Sequence, residues 1–106
     1  MRVLVFAVAS PEDMDRTAER VFRALGVDYR ERNSSYFGGR YFRAGNPRSE
    51  EIYFFVNRDI DGSRQFPEAA ETEWILRIDK TSRTAPEVLA QISGPSGIQA
   101  RLLRER

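Results

Sequence analysis

The opening of the chain narrows its fold more than any other feature: residues 3–8 form an unbroken apolar run, and a helix-start signal follows almost at once. A run with no polar face suits a strand buried on both sides, in the middle of a sheet. Ser10 then offers an acceptor for the free amides of a helix N-terminus, and Pro11 suits the first helical position. Glu12 and Asp13 complement the positive end of the helix dipole. Met14, Ala18, Val21, Phe22 and Leu25 recur at helical spacing on one face, and Gly26 supplies the stop. A buried strand that leads into an amphipathic helix predicts a sheet with a helix laid across it.

The rest of the chain supplies the other elements. Residues 27–32 alternate apolar and polar, as a half-exposed strand does. Around Gly38 and Gly39, residues 35–43 predict either a hairpin or one strand with a glycine bulge. A turn at Gly45, Asn46 and Pro47 leads into the aromatic run 51–56, which is expected to pair antiparallel with 40–44. Residues 74–78 read as another buried strand. Thr84 and Glu87 have capping-box spacing, Val88, Leu89 and Ile92 form a short apolar face, and Gly94 and Pro95 end it. Ile98, Ala100 and Leu102 alternate with Gln99 and Arg101 in a closing strand.

The expected order is β-α-β-β-β-α-β, with room for one further short strand. Two helices most easily cover one face of a mostly antiparallel sheet, so the fold class is α+β, a two-layer sandwich. That order resembles the ferredoxin-like arrangement with an extra strand, a likeness of topology that carries no function with it. No linker or repeat interrupts the chain, and residues 1–106 are read as one α+β domain.

Composition excludes more than it selects. The chain has no cysteine and no histidine, so thiolate nucleophiles, zinc–sulfur sites and imidazole acid–base chemistry are all closed to it. No cofactor is expected, and the reading leans against an enzyme. Lys80 is the one lysine among 17 basic residues, a skew that coding composition accounts for. A net charge of +1 lacks the basic excess typical of nucleic-acid binders. No apolar stretch is long enough to cross a membrane, and the N-terminal run does not read as a signal peptide, so a cytoplasmic protein is expected.

Two constellations could carry binding. Asn57, Asp59, Asp61, Gly62 and Glu68 fit the ligand spacing of an EF-hand calcium loop, in which alternate oxygens wrap a hard cation. Asn in the first position, Arg64, Pro67 and a strand-like preceding segment all depart from that pattern, and a polar turn is the favoured reading of these residues. The second is an aromatic–arginine surface formed by Tyr36, Phe37, Arg40, Tyr41, Arg43 and Tyr53. Tyrosine and arginine are enriched at interface hot spots, and aromatics on a sheet also stack on bases. The expected function is therefore a non-catalytic intracellular module acting through a protein partner, of adaptor or bacterial immunity type, and compatible with a homodimer. Nucleic-acid binding through the same surface is the first alternative, and a small-ligand or calcium-binding domain the second.

Overall fold

The computed structural model describes residues 2–45, 48–93 and 97–106. The elements run β1 (Arg2–Ala9), α1 (Met14–Leu25), β2 (Tyr29–Ser34), a one-turn 3-10 helix (Ser35–Phe37), β3 (Gly39–Gly45), β4 (Glu51–Val56), β5 (Trp74–Thr81), α2 (Ala85–Ile92) and β6 (Gln99–Glu105). The strands form one antiparallel sheet in the order β2-β3-β4-β5-β1-β6. The α+β class holds, and the expected antiparallel pairing across the turn forms, with Phe42, Arg43, Ala44 and Gly45 opposite Phe54, Tyr53, Ile52 and Glu51.

The ferredoxin-like order does not hold, and the five-strand count becomes six. Short connections let β2, β3 and β4 zip together as a meander. Only β4, with Ile52, Phe54 and Phe55 all buried, can sit beside the apolar β5. Polar β2 is left at the sheet's edge. The ambiguous stretch 35–43 is neither of its expected forms. Residues 35–37 make the 3-10 turn, Gly38 caps it with φ 78°, and the hairpin joins β2 to β3. The expected turn residues Asn46, Pro47, Gly94 and Pro95 lie outside the described residues.

Strand β1 is as central as its composition requires: Leu4, Phe6 and Val8 point under the helices, and Val5 and Ala7 to the opposite face. Helix α1 buries Ala18, Val21, Phe22 and Leu25 against that first face, and α2 adds Ala85, Val88 and Ile92. The helix begins later than Ser10 implies. Asp13 is the N-cap, its carboxylate accepting the Arg16 amide at 2.8 Å, while Ser10 accepts the Glu12 amide within the preceding turn. Gly26 ends α1 in the left-handed region, φ 73°, and Thr84 caps α2 as its spacing predicts.

The second face has its own smaller core. Val5, Ala7, Phe55 and Ile75 are covered by Phe66 and Ala69 from the long connection between β4 and β5. Asn57 holds that connection in place, at 3% exposure. Its amide nitrogen donates to the carbonyls of Phe66, Ala69 and Ala70, and its oxygen accepts the Phe66 amide at 2.8 Å. The β6 edge fastens the outer side: Arg104 donates twice to the Glu68 carboxylate, at 2.7 and 3.1 Å, and Arg101 reaches the Glu68 carbonyl and Glu73. A bulge in β6 opposite Val5 and Phe6 turns Leu103 onto this second core. Leu102 stays 38% exposed. The connection therefore covers Val5, Ala7 and Ile75 together with Phe55 of β4, and leaves Arg30, Arg32, Arg43, Tyr53 and Arg77 exposed or half-exposed toward the β2 edge.

Candidate functional site

The uncovered part is built by register. Arg30 lies opposite Arg43, Arg43 opposite Tyr53, and Tyr53 opposite Arg77, so one row of side chains crosses four strands on one face. A neighbouring row sets Arg32 opposite Tyr41. The guanidinium carbons of Arg43 and Arg77 lie 5.6 and 4.9 Å from the centre of the Tyr53 ring, within the range of cation–π attraction. Phe37, swung over by the 3-10 turn, packs against Tyr41 at 4.4 Å, Phe55 at 5.0 Å and Tyr53 at 5.4 Å between ring centres. Tyr36 meets Phe37 edge-on and stays 70% exposed. The result is an aromatic platform with rigid arginines, of the residue types that anchor interfaces.

Of the six residues the sequence proposes for this surface, five come together and one does not. Arg40 points to the helix face, because side chains alternate along β3 and Phe42 faces the helix-side core. There it pairs with Asp15 of α1 and with Glu31 of β2, at 2.5 and 3.3 Å. Arg30, Arg32 and Arg77 belong to the surface and escape a reading of the aromatic stretch alone. The signal that finds them is strand alternation carried across the pairing register.

Charge on this face is unevenly settled. Arg77 forks onto Asp79 at 2.8 and 3.0 Å, and Arg43 donates to Glu51 at 2.6 Å. Glu51 also takes Tyr53 Oη at 3.3 Å and Lys80 Nζ at 3.4 Å. Burial pushes the Glu51 carboxyl upward, but the Arg43, Lys80 and Tyr53 donors outweigh it and hold the group below the ordinary carboxylate value. Glu51 and Asp79 face each other across β4 and β5. A carboxyl held down this way stays ionised near neutrality and is a poor general acid. Arg30 and Arg32 are exposed and have no side-chain partner among the described residues. With Arg43, Asp28 and Tyr29 they line an open groove of about 330 Å³. A larger groove of about 680 Å³ at the end of α1 is lined by Glu19 and Arg23, which already pair with each other.

The residues of the calcium-loop spacing are engaged within the chain. Asn57 is committed to holding the connection, and Glu68 to Arg104. Asp59 accepts the amide of Ile60, and Asp61 accepts both the amide and the hydroxyl of Ser63. No group of three or more acidic side chains that could hold a metal occurs among the described residues. In this structure these side chains make turn and fastening contacts: the preceding segment is a strand, and the connection folds back over the sheet. Among the described residues no helix is long and apolar enough to cross a membrane.

Fold and surface together define a sheet-and-helix α+β domain whose second sheet face is partly roofed and partly open. The chain matches no protein-family model, no curated protein and no solved structure.

Proposed function

We propose that this chain is a non-catalytic, intracellular binding module that takes a protein partner on the β2-β3-β4 half of its open sheet face, in the manner of an adaptor or an immunity protein. The observation that carries this reading is the Arg43–Tyr53–Arg77 stack. Both arginines are held by carboxylates and the ring is held between them. Side chains fixed before binding lose little rotamer freedom when a partner arrives. Phe37 and Tyr41 extend the apolar platform, and Tyr36 projects from its margin as an exposed anchor. Carboxylates neutralise Arg43 and Arg77, so among the described residues only Arg30 and Arg32 are without a partner on this face. That is fewer cations than a phosphate backbone usually meets, which favours a protein over a nucleic acid.

A photo-crosslinking amino acid in place of Tyr36, compared with one in place of exposed Ala90 on α2, tests the surface in cells of the native source. The expected result is one dominant protein adduct from position 36, lost on adding Tyr53→Ala, and none from position 90. Adducts to nucleic acid, or equal labelling from both positions, would reject the reading.

A further inference from the structure

The sheet has two edges, and they differ in charge. On β6, Arg101 pairs with Glu73, Arg104 with Glu68, and Arg2 of the adjoining β1 with Glu105. That edge is neutralised, and it is where the roofing connection is fastened. On β2, residues 30–33 are all exposed, and hydrogen bonding to a neighbour exists only on the β3 side. Its helix-side face is settled, because Glu31 meets Arg40 and Arg40 meets Asp15. Its open face carries Arg30 and Arg32, two residues apart and both without a partner among the described residues. Asp28 is the one carboxylate among the residues lining the groove beneath them. A free strand edge presents unpaired amides and carbonyls to any extended chain.

We infer that β2 is a docking edge: an acidic extended segment of the partner protein adds beside it as a seventh strand, with carboxylates at alternate positions facing Arg30 and Arg32. The inference rests on the binding-module reading and names the partner's chemistry. Period-two alternation is what brings both arginines to one face, so only an acidic segment with the same period meets both while pairing its backbone. A second copy of this chain fits less well: a twofold pair of β2 strands centred on residue 31 would set Arg30 opposite Arg32, which repels. Arg43 lies opposite Arg30 and also lines the groove, but Glu51 already holds it, so Arg30 and Arg32 are the cations that would meet the incoming carboxylates.

A short capped peptide in which glutamate alternates with valine is the probe, titrated at low salt into the folded protein and followed by amide-resolved NMR. Binding is expected to shift and protect amides of β2 and β3 while leaving those of β6 unmoved. Arg30→Glu combined with Arg32→Glu is expected to weaken it more than about tenfold, as loss of two charge-assisted contacts implies. Both sites are exposed, so an unchanged thermal midpoint shows that the variant is folded. A peptide of the same composition with its glutamates in one block is expected to bind more weakly. Equal binding by the block peptide, shifts centred away from β2, or no binding would overturn the edge. A single-stranded oligonucleotide that binds β2 more tightly than the peptide would overturn it in favour of nucleic acid. Failure here beside a successful crosslink from position 36 would reject the edge and leave the platform standing.

Discussion

At the scale of single residues, one amide organises the longest irregular stretch of the protein. Asn57 makes four hydrogen bonds from a nearly sealed position, and each is worth about 1 kcal/mol net once water is counted. Asn57→Ala is therefore expected to cost about 2–4 kcal/mol and to loosen the roof over Phe55 and Ile75. Urea denaturation measures the loss, and limited proteolysis between residues 57 and 73 locates it. Full stability with an uncut connection would show that Phe66 and the Arg104–Glu68 pair hold the roof unaided. Gly45 illustrates the other kind of residue-scale demand. With φ at 87°, a Cβ there would stand 1.9 Å from the Glu50 carbonyl oxygen, so the strand end closes only around glycine.

Between elements, Arg83 is the clip that joins parts far apart in sequence. Its guanidinium donates to Glu50 at 2.9 Å, to the Leu25 carbonyl at the end of α1 at 3.0 Å, and to Gln91 of α2 at 3.1 Å. The ends of α1 and α2 and the residue that precedes β4 are thereby fixed to the exit of β5. Arg83→Ala leaves Glu50 and the Leu25 carbonyl short of a donor, and we expect a loss of about 1–3 kcal/mol. Arg83→Lys is expected to recover less than half, because the three donors of an ammonium group radiate from one nitrogen and cannot span acceptors that the guanidinium reaches from three. Equilibrium unfolding of the two variants decides the matter; equal stability of lysine and arginine would mean that charge alone suffices. This clip is invisible in the sequence, since nothing in its local pattern ties position 83 to positions 25 or 50. The strand–helix unit at the start is the opposite case. Its burial pattern and its glycine stop are both local, and only the N-cap moved, from Ser10 to Asp13.

For the whole molecule, carboxylates fastened by arginines set the response to acid. Arg104 brings the Glu68 carboxyl down to about 2, and Glu51 lies below its ordinary value as well. A folded-state value below the unfolded one contributes stability above the unfolded value, and that contribution fades as pH falls through the folded one. Stability is thus expected to decline between about pH 4.5 and about pH 2. Glu68→Gln should flatten part of that decline, with a smaller difference at high salt because the pair is exposed. Thermal midpoints across the pH series measure it, and parallel curves for the two proteins would remove Glu68 from the account. By itself the sequence determined what depends on neighbours along the chain: α+β character, a β1 buried on both sides, the capped helices, and the exclusion of thiol and imidazole chemistry. Tertiary structure alone decided the strand order, the roof over part of one face, the removal of Arg40 from the aromatic surface, and the exposure of Arg30 and Arg32 on the β2 edge. The physical reason is that side-chain periodicity is written in consecutive residues. Which strands become neighbours, and which charges find a partner, depends on contacts between segments that no local pattern specifies.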